Sequence, residues 1–355
     1  MSSRIQEIKL KNILFRVDAD QSIGFGHYKR CSAILDELDR DATTILLTKS
    51  DNDFDSTPFK KKIILDDFPD INSEISFIKR IIKENEIDVL ISDINNYKAT
   101  ENPGEYREYI EKLNSLNVVL ISFEDFKIYD VNADIIVIPY VGSENLKIDQ
   151  KKKKKYLLGP KFFVLRKEFI TNKAIKKTSN KRKKVLVSMG GSDTNNLTSQ
   201  VIKVLSKISI ELEVYVVKGP LSNFTAEQIQ KSFRNSNSNF EIINSPKNMS
   251  DLMKKSDIAI TTSGLTQYET SAMGLPAIVI SINDYHKYVV DEFAKSNSIV
   301  SFGLFNKSFS NKLKKEVLRL LKNTDLINAM SKNGKGLVDG LGAQRILDKI
   351  NLQLN

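Results

Sequence analysis

The sequence predicts an α/β protein made of two doubly wound, parallel-sheet halves, and three observations carry that reading. Short apolar runs of the buried-strand kind recur along the chain, with helical segments between them. The rhythm breaks in a basic, irregular stretch and then restarts. At 355 residues the chain is long for one α/β core and suits two domains at ~150 residues each.

In the first half the apolar runs are "NILFRVDA" from Asn12, "TTILLT" from Thr43, "KIILDD" from Lys62, "IDVLISD" from Ile87, "NVVLISF" from Asn117 and "ADIIVIPY" from Ala133. Between them, "HYKRCSAILDEL" sets Cys31, Ile34, Leu35 and Leu38 at the spacing of one helical face, and "NSEISFIKRIIKEN" repeats the pattern. The second half reads "KVLVSMGGSD", "LEVYVVKG", "FEIINS", "DIAITTSG", "PAIVISI" and "SIVSFG", with helical segments between most of them. The tail from Asn306 is mostly helical by pattern and closes with "GLVDGLGAQRILDKI". The expected division is an N-terminal domain over 12–165, a basic linker over 166–183 and a C-terminal domain over 184–350. Sites in such folds lie at the carboxyl ends of strands, here facing the cleft between the halves.

Composition excludes several classes. Apolar residues make up 41% and charged residues 28%, which argues against disorder and against a membrane protein. The run "IIVIPYV" falls far short of the ~20 residues a bilayer requires, and "MSSRIQEIKLKN" lacks the apolar stretch of a signal peptide, so a cytoplasmic protein is expected. The single cysteine, Cys31, excludes an internal disulfide and reads as a packing residue. Two histidines, one cysteine and scattered carboxylates give no metal-ligand spacing, so neither metal nor cofactor is expected. The net charge is +10, with lysine runs at "FKKK", "QKKKKKY" and "NKRKK". These read as compositional bias on solvated loops. No nucleic-acid module accompanies them, and an anionic membrane surface is the peripheral partner they would suit.

Three stretches can carry chemistry. In "FRVDADQSIGFGHYKR" a strand ends at Asp18, and a loop holding Gly24 and Gly26 turns into a helix starting near His27. Such a loop exposes backbone N–H groups, and the helix N-terminus disfavours added positive charge, leaving neutral imidazole as a base near pH 7. The alternative is a histidine that packs or caps a helix start. The motif lacks the third glycine of the dinucleotide fingerprint, and no acidic residue is placed for a ribose after the second strand. In "VLVSMGGSDTNNLT", Gly190, Gly191, Ser192 and Asp193 form a turn before a helix that can cradle a diphosphate. In "DIAITTSGLTQYETSAMGLPAIVISI", Ser263, Gly264, Leu265 and Thr266 open a helix, and Glu269 one turn in can accept two ribose hydroxyls. An ordinary solvated helix residue is the alternative for Glu269.

The set "RVDADQSIGFGHYKRC", "LLGPKFFVLRKEF", "VLVSMGGSDTNNLT" and "TTSGLTQYETSAMGLPAIVIS" resembles the UDP-sugar hydrolases of pseudaminic acid biosynthesis and the related spore-coat polysaccharide proteins. The resemblance implies a GT-B-like fold, two Rossmann-like domains facing a cleft, with UDP held mainly by the C-terminal domain and the sugar facing the N-terminal one. It implies hydrolysis of UDP-2,4-diacetamido-2,4,6-trideoxy-β-L-altropyranose to free sugar and UDP, with His27 matching the family's candidate base. Around that base, Asp18 and Asp20 are candidates to orient His27 or bind sugar hydroxyls, or else cap the turn. Arg30 is a candidate phosphate contact, against a surface or domain-interface role. The chain departs from the family in two loops that shape the sugar pocket. "NDYHKY" replaces the usual Asn-Gln pair and puts Tyr285 and His286 there, and "INNYK" displaces its tyrosine to Tyr97. Tyr97 and His286 are therefore substrate-side candidates, His286 against a plain surface role. Two further readings stay open: a UDP-sugar-dependent glycosyltransferase, and a non-catalytic UDP-sugar-binding module.

Overall fold

The computed structural model describes residues 12–19, 25–49, 58–94, 101–171, 182–193, 195–306 and 309–354. They form two compact units, one of Met1–Arg166 with Leu341–Asn355, the other of Lys167–Gly340.

The first unit is a seven-stranded sheet of β1 (Asn12–Val17), β2 (Thr43–Thr48), β3 (Lys61–Ile64), β4 (Val89–Asp93), β5 (Val119–Phe123), β6 (Ile135–Ile138) and β7 (Tyr156–Leu158). Its spatial order is β3-β2-β1-β4-β5-β6-β7, and every neighbouring pair is parallel. Leu14, Leu90, Leu120 and Ile136 point to one face, where α2 (Ile71–Glu84) and α3 (Pro103–Asn114) add Ile78, Ile81, Tyr109 and Leu113. Their sequence neighbours Ile13, Ile91, Ile121 and Val137 point to the other, against Cys31 and Ile34 of α1 (Gly26–Leu35) and Ile346 and Ile350 of the terminal helix. Burial on both faces is why these strands read as unbroken apolar runs rather than alternating ones. Cys31 is indeed a core residue.

The second unit contains a short helix α4 (Lys167–Thr171) and six strands: β8 (Lys183–Ser188), β9 (Leu212–Lys218), β10 (Asn239–Asn244), β11 (Ile258–Thr262), β12 (Ala277–Ser281) and β13 (Ile299–Leu304). Their order is β10-β9-β8-β11-β12-β13, again all parallel. The intervening helices are α5 (Leu197–Leu205), α6 (Ala226–Phe233), α7 (Met249–Lys255), α8 (Leu265–Met273) and α9 (Asp284–Ala294); α10 (Phe309–Leu321) and α11 (Thr324–Leu337) follow β13.

The division differs from the sequence expectation at two places. The last helix, α12 (Gly342–Leu354), belongs to the first unit, although the pattern assigned 184–350 to the second. Its approach explains why: a Cβ on Gly342 would strike the carbonyl of Phe163, and Arg345 donates to the Lys161 carbonyl at 2.7 Å. The part of the expected linker that forms α4 belongs to the second unit, where Glu168 accepts the Ser250 N–H at 3.0 Å.

Both sheets share one topological feature. The chain leaves β1 for β2 on one side and returns to β4 on the other, and it does the same around β8 and β11. Such switch points leave a crevice at the carboxyl ends of the two strands.

Candidate active site

In the first unit the switch point brings together the end of β1, the start of α1 and the end of β4. Val17 pairs with Asp93 in register, so the last residue of β4 lies beside the strand that feeds α1. Asp93 is fully buried. Its Oδ1 lies 2.6 Å from His27 Nδ1, and Arg30 grips both carboxylate oxygens, Nε to Oδ2 at 2.7 Å and Nη2 to Oδ1 at 2.6 Å. His27 and Arg30 are three residues apart on α1, which sets them one above the other on the same face. The Cys31 thiol adds a longer contact to Oδ2 at 3.8 Å. Arg30 is itself buried, donating to the Tyr140 hydroxyl at 3.2 Å with its guanidinium 4.7 Å from the centre of the Phe123 ring.

Burial by itself would push the Asp93 carboxyl up, but the Arg30 charge and the hydrogen bonds from Arg30 and His27 outweigh it and hold it well below the usual carboxylate range. An ionised carboxylate only accepts, so the proton between it and His27 sits on Nδ1. In the neutral ring the Nε2 lone pair is then open, on a side chain that is 19% exposed. A buried carboxylate that fixes the tautomer of a partly exposed imidazole is the arrangement of a general base.

The structure corrects three assignments. Asp18 does not orient His27: its carboxylate takes Arg16 Nη1 at 2.6 Å and the Lys49 N–H at 2.8 Å. Arg16, two residues back on β1, shares the strand face of Asp18 and is itself buried, tied also to Tyr109 at 3.3 Å. Arg30 is neither a surface residue nor a phosphate contact in this arrangement, because both edges of its fork are taken by Asp93 and Tyr140. Asp193 is a helix cap. Its oxygens accept the N–H groups of Leu197 at 2.8 Å and Thr198 at 3.1 Å, filling the place at the α5 N-terminus that an anion would take. Gly26 is the first residue of α1, while Asp20, Gly24 and Tyr97 lie outside the described residues. Asp93 itself was not among the expected site residues; a lone acid closing the wholly buried strand "VLISD" was the available signal.

In the second unit the switch point carries both glycine turns. Gly190, Gly191 and Ser192 follow β8, and the Leu221 N–H pins the turn by donating to the Gly191 carbonyl at 2.9 Å. Ser263 and Gly264 follow β11, and Leu265 and Thr266 begin α8. The Ser263 hydroxyl is buried and has no hydrogen-bond partner among the described residues. Gly264 adopts φ 135°, a conformation that only glycine takes readily, and an added Cβ would meet nothing within 4 Å. Gly264→Ala is therefore expected to lose about 1–3 kcal/mol through backbone strain alone, without a clash. Denaturant unfolding checks this, and an unchanged midpoint would count against it. Glu269 lies one turn into α8 and is 7% exposed. His286 sits in the first turn of α9, where its N–H donates to the Asn283 side chain at 2.8 Å and its ring lies 6.0 Å from that of Tyr285.

Comparison with known proteins agrees with this architecture. Residues 185–346 match the glycosyltransferase family 28 C-terminal domain. The protein MJ1062 of Methanocaldococcus jannaschii, uncharacterized by its own name, is 31% identical over 292 residues, 79% of this chain. The match spans only 58% of that relative's length. The spore coat polysaccharide biosynthesis protein SpsG of Bacillus subtilis is 22% identical over 93% of this chain and 94% of its own. A Campylobacter jejuni protein named UDP-2,4-diacetamido-2,4,6-trideoxy-β-L-altropyranose hydrolase is 26% identical over 71% of this chain and 85% of its own. Among solved structures, Acinetobacter baumannii MurG superposes with a TM-score of 0.69 at 14% identity, covering 96% of this chain and 99% of that one. The fold is thus GT-B-like, two parallel-sheet α/β domains. No helix among the described residues is long and apolar enough to cross a membrane.

Proposed function

We propose that this chain, a homologue of the UDP-diacetamido-sugar hydrolases and of the spore coat polysaccharide protein SpsG, hydrolyses a UDP-linked diacetamido deoxy sugar in surface-glycan biosynthesis. The observation that carries the reading is the His27–Asp93 contact at 2.6 Å, which gives the chain a base with a fixed tautomer. Water attacks the anomeric carbon while His27 Nε2 takes its proton. The bond from that carbon to the diphosphate oxygen breaks, and UDP leaves with the electron pair. The developing charge on the diphosphate calls for N–H and O–H donors. Those assigned here are the Gly190–Ser192 turn, the Ser263 hydroxyl and the Gly264–Thr266 start of α8. UDP-2,4-diacetamido-2,4,6-trideoxy-β-L-altropyranose is the substrate to try first, since it is the one in the Campylobacter relative's name.

Glu269 is assigned to the ribose hydroxyls. Glu269→Ala should weaken UDP binding while saturating substrate restores turnover; unchanged affinity by calorimetry would remove the assignment.

A transferase reading has one observation in its favour, the match of residues 185–346 to a glycosyltransferase domain. One experiment separates the two. Purified protein is incubated with a panel of UDP-sugars in ¹⁸O-water without acceptor, and products are read by mass spectrometry. Label in the free sugar is expected for hydrolysis at the anomeric carbon, whereas label in UDP would mean attack at phosphorus. Binding of UDP with no sugar release would instead favour a transferase or a non-catalytic binding module.

A further inference from the structure

The geometry points to Arg30 as the residue that decides which nitrogen of His27 carries the proton: by gripping both oxygens of Asp93 it keeps that carboxylate an acceptor, so Nδ1 stays protonated and Nε2 stays open. This makes Arg30 a positioning residue, and its effect on turnover rests on the reading of His27 as the base.

From α1, Asp93 meets His27, Arg30 and Cys31, all within 3.8 Å. Tyr140 stands behind Arg30, and Tyr106 on α3 is coupled to the carboxylate at longer range. Of these groups Arg30 alone is permanently charged. Burial and the neighbouring carboxylate push the Cys31 thiol up, so it remains a weak donor. Without the guanidinium, a fully buried carboxyl beside a neutral imidazole is driven toward its protonated form. A protonated carboxyl donates, Nδ1 must then accept, and the imidazole proton moves to Nε2. The base would be present but blocked. The surroundings of Arg30 favour this role, because the Tyr140 hydroxyl at 3.2 Å and the Phe123 ring at 4.7 Å hold the fork in one orientation.

The test uses the whole chain labelled with ¹⁵N-histidine. With only two histidines the spectrum holds two rings, and His286→Gln assigns them. Wild-type His27 is expected to show Nδ1–H at neutral pH, and Arg30→Met to show Nε2–H, returning to Nδ1–H as pH rises and Asp93 ionises. In activity, Arg30→Met should lower kcat on the order of 10²-fold with KM nearly unchanged, and move the acid limb of kcat to higher pH. Should Arg30→Met fold poorly, Arg30→Gln removes the same charge and keeps a polar side chain. Retention of Nδ1–H at neutral pH in the folded variant overturns the inference. A tautomer switch without loss of kcat upholds it and sinks His27 as the base instead.

Discussion

His27→Asn is expected to lower turnover of the UDP-sugar by a factor on the order of 10² to 10⁴, the range for a lost general base, while UDP affinity is retained. In free energy that is about 3 to 5 kcal/mol of transition-state stabilisation. Asparagine is the informative replacement because its amide N–H, at the position of Nδ1, can keep donating to Asp93, so the buried Asp93–Arg30 pair is not stripped of a neighbour. What disappears is the Nε2 lone pair. Stopped assays of kcat and KM with calorimetry of UDP binding separate the outcomes. Loss of UDP binding in a folded variant would put His27 on the phosphates, and unchanged kcat would put the base elsewhere.

Much of the scaffold was legible because parallel strands buried on both faces leave apolar runs that need no tertiary information. Twelve strands, β1 to β6 and β8 to β13, fall within the runs quoted above to within one residue. β7 escaped because three residues, Tyr156–Leu158, behind a lysine run make no pattern. The membership of α12 was invisible for a different reason. An amphipathic helix records that it has a buried face, not which sheet it covers, and the close approach at Gly342 is a long-range fact. Within the site, glycine turns and His27 were visible as local chemistry. Their partners were not. Asp93 is 66 positions from His27, and Arg30 read as a phosphate contact or a surface or interface residue until β4 was placed beside β1. Asp18 and Asp193 misled because an acid at a strand end serves a cap or an ion pair as readily as a ligand.

Asp93→Ala should give the largest stability loss in the first unit. It leaves the Arg30 guanidinium, only 4% exposed, with the Tyr140 hydroxyl and the Phe123 ring but no counter-charge. Breaking one side of a buried pair costs roughly 3–5 kcal/mol, far more than an exposed pair is worth. The same carboxylate sets an acid limb. Its folded value lies below the ordinary ~3.9 of an unfolded aspartate, so its contribution is fully present above about pH 4 and is lost as pH falls toward the folded value. Asp18 is also lowered, since the pull of Arg16 and Lys49 outweighs burial, and it adds a limb of the same sign. Asp93→Asn, which cannot ionise, should therefore flatten the fall in stability below pH 4 without abolishing it. Calorimetric scans of the three proteins from pH 3 to pH 7 would read this. An acid limb as steep in Asp93→Asn as in wild type would mean that Asp93 binds a proton equally well folded and unfolded. The Arg30 grip would then not be holding it ionised, and the fixed tautomer of His27 would lose its cause.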